Sequence, residues 1–120
     1  MRIAEAAREC GLSTYTIRYY EKSGMLPEIA RGSDGHRRFS RENLDWLILL
    51  ASLRETGMPT RKMSRFAGLY RQGDSTIGER KKVLSDHQQY LGLQQARLAK
   101  CRKLLTHKLS RYDDILGQNA

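Results

Sequence analysis

Ile77, Leu84, Leu91, Leu98, Leu105 and Tyr112 recur at every seventh position, and no proline follows Pro59. A strict seven-residue apolar interval sustained over that length predicts one long helix carrying a coiled-coil seam. Asp74-Ser75-Thr76 opens it, with Thr76 and Glu79 at capping-box spacing. Nothing forces a break before the region of Gly117. The positions three further on (Arg80, His87, Gln94, Cys101, Lys108, Ile115) are mostly polar, so Val83, Leu93 and Leu104 are needed to widen the seam. A helix of roughly 36 residues would measure ~54 Å. So long a rod does not fold back on a small domain, and its seam is expected to meet a second copy of the chain.

The N-terminal part reads differently. Residues 2–10 have Ile3, Ala6, Ala7 and Cys10 on one helical face. Gly11 ends that helix in the manner of a glycine just past a C-cap. Ser13 then caps a second helix from Thr14 to about Lys22, because its hydroxyl can accept from the free N–H groups of the next turn. Two short helices joined by Gly11-Leu12-Ser13 form a helix-turn-helix pattern, whose second helix enters the DNA major groove with its N-terminal residues nearest the bases.

Gly24 stops the second helix, and Met25-Leu26-Pro27 leads out extended. From Ile29 to Phe39 a turn at Gly32-Ser33-Asp34-Gly35 is flanked by Arg31 and by Arg37-Arg38. This predicts a short β-ribbon, a wing able to reach adjacent phosphates. Ser40 caps a third helix, with Glu42 and Asp45 near its start. Leu44, Leu47, Ile48, Ala51 and Leu53 form its apolar face, widened by Trp46 and Leu50, and Gly57 ends it. A fourth helix begins at Pro59 or Thr60, buries Met63, Phe66, Ala67 and Tyr70, and ends at Gly73. The expected architecture is mainly α, with a winged helix-turn-helix domain over residues 1–72 and a dimerisation helix with its tail over residues 73–120.

Composition narrows the partner. Lys and Arg total 22 against 13 Asp and Glu, a net charge of +9 over 120 residues, which favours nucleic acid or an anionic surface. The surplus is spread along the chain, with a local concentration from Arg31 to Arg41. No apolar run approaches the ~20 residues that span a bilayer. The first residues lack the apolar stretch of a secretory signal. A cytoplasmic protein is therefore expected. Cys10 and Cys101 fit no zinc spacing. The three histidines are scattered, no nucleophile–base pairing is evident and no phosphate-cradling glycine loop occurs, so no enzyme, metal or cofactor site is expected.

Six motifs in order carry a family resemblance: Ile3-Ala4-Glu5, Gly11-Leu12-Ser13, Thr16-Ile17-Arg18-Tyr19-Tyr20-Glu21, Gly24-Met25-Leu26-Pro27, Gly35-His36-Arg37-Arg38-Phe39-Ser40 and Leu53-Arg54-Glu55-Thr56-Gly57-Met58. Together they resemble the MerR family of bacterial transcription regulators over residues 1–72. The tail is similar to that family's antiparallel coiled-coil dimerisation helix, in the branch answering aldehydes or reactive species (AdhR/NmlR-like). The resemblance implies a homodimer on a pseudo-palindromic operator in an overlong promoter spacer. Distortion of that double-stranded DNA would realign the promoter elements for RNA polymerase. His36 and Phe39 stand where the family usually has Tyr. Ser52 stands where the aldehyde-responsive branch tends to carry its reactive cysteine, so that sensing chemistry does not transfer to this position.

The candidate DNA-binding residues are Ser13, Thr14, Tyr15, Thr16, Arg18, Tyr19, Arg31, His36, Arg37 and Arg38. Ser13, Thr14 and Tyr15 are the expected base readers, with Ser13 acting as a cap in any case. Arg18 can pair two-pronged with a phosphate or a guanine edge. Tyr19 and Tyr20 lie ~100° apart on a helix, so Tyr19 is assigned to phosphate and Tyr20 to packing under the wing. Arg37 matches the family's wing arginine. Cys101 falls on the seam among Lys100, Arg102 and Lys103. It reads first as a small apolar filler and second as a candidate redox-sensing thiol. Two rivals differ in kind: a DNA-architecture or excision factor that senses nothing, and a protein-interaction module built on the coiled coil.

Overall fold

The computed structural model describes residues 1–118. Its helices are α1 (Ile3–Cys10), α2 (Thr14–Lys22), α3 (Arg41–Glu55), α4 (Thr60–Arg71) and α5 (Ile77–Gln118), with a 3₁₀ turn over Asp74–Thr76 before α5. Contacts divide the chain into two units, the first ending at Leu84 and the second beginning at Ser85. The first unit extends past the break read at residue 72 because Val83 and Leu84, in the second turn of α5, pack against the core.

The boundaries follow local chemistry. Gly11 closes α1 in the left-handed region at φ 72°, with its N–H on the Ala7 carbonyl. Ser13 caps α2, its Oγ accepting from the Thr16 N–H at 3.0 Å. Ser40 and Asn43 form a reciprocal capping box at the start of α3. The core under these helices gathers Ala6, Ile17, Tyr20, Leu47, Leu50 and Phe66.

Four expectations need correction. Ile48 is exposed, because Trp46, Leu50 and Leu53 turn the buried arc of α3 away from it. The wing is not a ribbon of named strands but a loop with one antiparallel bridge, Arg31 to Arg37. Its flanks hold each other through Gly32 N–H to the His36 carbonyl at 2.9 Å and Arg38 N–H to the Ala30 carbonyl at 2.7 Å. The second flank then leaves its partner, since the Phe39 N–H donates to the Met1 carbonyl and the Met1 ammonium to the Phe39 carbonyl. Thr76 makes no capping box with Glu79; its hydroxyl donates back to the Leu69 carbonyl at 2.5 Å and accepts from Arg80 Nε at 3.0 Å.

The fourth correction concerns length. At 42 residues α5 exceeds the expected helix, running about 63 Å at 1.5 Å per residue, and it continues through Gly117. In its second unit Leu98, Leu105 and Tyr112 are more than half exposed, as are Leu109 and Leu116. A straight helix drifts ~20° per seven residues. Leu109 and Leu116 compensate for that drift and keep one apolar face, which the seven-residue count alone did not include. Ile77 is exposed, while Leu84 is half-buried against its own domain.

Candidate nucleic-acid interface

The face of α2 opposite the core is set by helical spacing. Ile17 and Tyr20 are buried, so Tyr15, Arg18, Tyr19 and Lys22, at intervals of three and four, point outward. Tyr15 is 77 % exposed and Tyr19 47 %, large aromatic areas for a domain to leave in water. Arg18 makes no hydrogen bond or ion pair with any described residue. Its guanidinium is free for an external anion.

Tyr20 is the inward member of the tyrosine pair, 2 % exposed. It faces α3 and α4 rather than the wing. A cavity of about 230 Å³ lies here, lined by Tyr15, Thr16, Tyr19, Tyr20, Met25, Arg54, Thr60 and Met63. The Tyr20 hydroxyl has no partner in hydrogen-bonding geometry. It lies close enough to Arg54 to favour the charged guanidinium and hold its pKa above the ordinary value.

Each wing arginine has a partner inside the domain. Arg37 Nε donates to both Glu21 carboxylate oxygens at 2.7 and 2.9 Å, and its Nη2 sits 2.6 Å from Oε1. This ion pair ties the last turn of α2 to the wing and raises the pKa of Arg37. Arg31 Nη1 donates to the Gly35 carbonyl at 2.8 Å, bracing the tip. Asp34 organises that tip: it accepts from the His36 N–H at 3.0 Å, from Arg2 at 2.8 Å and from Arg38 at 3.3 Å. The His36 backbone bond, then the Arg38 charge, hold the Asp34 carboxyl below its usual range. Gly35 takes φ 80°, which a side chain would strain.

The structure thus brings the α2 residues and the wing residues together through Glu21, which the sequence reading left out because a partner sixteen positions away carries no local signal. Ser13 keeps its oxygen for the cap, with Thr16 Oγ1 also 2.9 Å away. Thr14 and Thr16 are half-buried. Arg54 and Thr60, which the sequence did not single out, line the cavity beside Tyr20. Cys101 is exposed on α5, and Cys10 is half-buried with its thiol 3.8 Å from the Ala7 carbonyl. No group of three or more His, Cys, Asp or Glu suited to a metal ion occurs among the described residues. No helix among them is long and apolar enough to cross a membrane.

The chain is similar to known proteins in sequence and in fold. Residues 1–67 match the model of the MerR HTH family of regulatory proteins. A protein of Haemophilus influenzae described as an uncharacterized HTH-type transcriptional regulator is 40 % identical over 109 residues, covering 91 % of this chain and 81 % of that protein. The HTH-type transcriptional regulator AdhR of Bacillus subtilis is 33 % identical over 91 residues, covering 76 % of this chain and 65 % of that protein. Among solved structures, HiNmlR, described as a MerR family regulator lacking the sensor domain and bound to promoter DNA, aligns with a TM-score of 0.86 at 39 % identity. That alignment covers 94 % of this chain and 90 % of that one.

Proposed function

Because the chain belongs to the MerR family of helix-turn-helix regulators, we propose that it binds a pseudo-palindromic promoter operator as a homodimer and controls transcription by distorting that DNA. The observation that carries this reading is the outward face of α2. Tyr15, Arg18 and Tyr19 stand exposed together beside a wing fixed to the same helix by Glu21 and Arg37. Tyr15, with Thr14 and Thr16, reads base edges near the start of α2. Arg18 and Tyr19 hold phosphates, and His36 and Arg38 reach the next phosphates from the wing. Arg37, occupied by Glu21, positions the wing instead of donating all its N–H groups to DNA.

The exposed face of α5 supports the dimer. Leu98, Leu105, Leu109, Tyr112 and Leu116 leave one apolar face in water, and a second α5 laid antiparallel against it would bury that face. Two α2 helices then face two half-sites. Bending and untwisting of the spacer would change the promoter geometry offered to RNA polymerase. The relatives that support this reading are transcription regulators, not enzymes. The test is selection of binding sites from random DNA with the purified protein, followed by titration against competitor DNA. A two-fold symmetric consensus supports the reading; binding without sequence preference contradicts it.

A further inference from the structure

The exit of α2 is clamped on two successive carbonyls. Just past the end of α2, the Met25 N–H donates back to the Tyr20 carbonyl at 2.8 Å. Arg71, at the end of α4, donates to the carbonyl of Gly24. Trp46, on α3, donates its indole N–H to the carbonyl of Met25 at 2.8 Å, in a buried position. Packing alone would not require either bond.

The same Trp46 leads to the base of α5. Its ring stacks on Phe66 at 5.3 Å and meets Tyr70 at 4.4 Å. Tyr70 is further fixed by its hydroxyl, which donates to Glu42 at 3.0 Å. The Arg80 guanidinium lies over the same ring, 5.4 Å from its centroid. Arg80 is in the first turn of α5, where Nη2 donates to the Gly73 carbonyl at 2.9 Å and Nε to Thr76 Oγ1 at 3.0 Å. A continuous line of ring contacts and charge-assisted bonds therefore joins the start of the long helix to Met25, just past the end of α2. All of it lies within the first unit.

We infer that Arg80, Tyr70 and Trp46 form a bracket that sets the position of the α2 exit from the first turn of α5, making them positioning residues for DNA recognition. A shift of the α5 base moves Arg80, Arg80 moves the Tyr70 ring, and Trp46 carries that movement to the Met25 peptide. Arg71 holds the neighbouring Gly24 peptide, so the two peptides move together. The bracket supplies a route from the dimer helix to the DNA contacts that needs no residue touching both. Its use in transcription rests on the proposed operator binding, but the linkage itself does not.

The linkage is tested first without DNA. In Arg80→Met, which keeps the aliphatic stem and loses the cation, amide hydrogen exchange at Met25 should quicken at least about tenfold while amides in the middle of α3 stay unchanged. Arg80→Lys should fall between. Unchanged exchange at Met25 in both variants overturns the bracket; if Arg80→Met unfolds globally, Arg80→Lys decides alone. The second arm uses Trp46, the one tryptophan of the chain. Its emission in the wild-type protein should change when a selected operator binds, as followed independently by anisotropy of labelled DNA, and Arg80→Met should lose most of that change. Bound operator with an unchanged Trp46 spectrum overturns the bracket. Failure of the operator to bind contradicts the proposed function instead, leaving the exchange result to decide the bracket.

Discussion

Arg37 and Glu21 meet through three short contacts, 2.6 to 2.9 Å, between the wing and the last turn of the recognition helix. Both side chains are part-exposed, so the pair adds little to stability, about 1 kcal/mol or less. Its effect is geometric: it fixes the wing against α2, the two elements proposed to face DNA. Glu21→Ala removes a negative charge from the surface proposed to meet DNA, which by charge alone should strengthen binding. The expected outcome is the reverse, a fall of about threefold to thirtyfold in operator affinity, or about 0.7–2 kcal/mol, within the range by which contacting groups couple. A double-mutant cycle with Arg37→Ala checks it. Additive losses would mean that the two act separately.

Arg18 has no internal partner, so Arg18→Ala should leave the thermal unfolding midpoint nearly unchanged. Binding to every operator variant should weaken by a similar factor, and the slope of log K against log salt should become shallower by about 1. Affinity measured over a salt series gives both numbers. A loss confined to one base position would reassign Arg18 to base reading.

The wing tip depends on an ionised Asp34. Its folded pKa is depressed, chiefly by the His36 N–H, from an ordinary value of 3.8. A depressed carboxylate contributes fully above its unfolded pKa and loses that contribution as pH falls through the folded one. The clasp with Arg2 and Arg38 should therefore be intact at neutral pH and open only below about pH 3.8. Side-chain carboxyl NMR titration of Asp34 reads the midpoint directly. At neutral pH, Asp34→Asn should loosen the tip and weaken DNA binding.

Much of this was legible in the sequence because the signals were local. Gly11 and Ser13 marked a turn whose cap geometry the structure repeats. The interval from Ile77 to Tyr112 marked a helix that the structure extends. What was not legible depended on where distant elements meet. Nothing near Thr76 shows that its hydroxyl turns back to Leu69 instead of capping α5. The wing lost its strands because Phe39 pairs with Met1, a contact across 38 positions. Net charge was a poor guide to the interface. Arg97, Lys100, Arg102, Lys103, Lys108 and Arg111 are a large share of the +9, and all lie on α5 in the second unit rather than among the motifs of residues 1–72.

The seam of α5 is tested by Leu98→Asp. A buried carboxylate at the centre of an apolar face is strongly unfavourable, so the variant should sediment as a monomer while the unit ending at Leu84 keeps its fold by circular dichroism and tryptophan emission. Operator affinity should fall at least about a hundredfold through loss of the linked second half-site. A variant that remains dimeric would place the interface elsewhere.

Cys101 is exposed and flanked by cations, whereas Cys10 lies against the core. Thiol-reactive electrophiles should modify Cys101 first, as read by peptide mass mapping. Cys101→Ser should leave operator affinity within about threefold of wild type, as expected for a surface change. If an inducer response persists in that variant, Cys101 is not its receiver.

The most direct measurement is a hydroxyl-radical footprint of the wild-type protein on a selected operator. Two α2 helices and two wings on one dimer predict protected tracts related by a two-fold axis, with enhanced or altered cleavage at the centre where the spacer is distorted. One unsymmetrical protected tract, with regular cleavage on either side, would contradict the account.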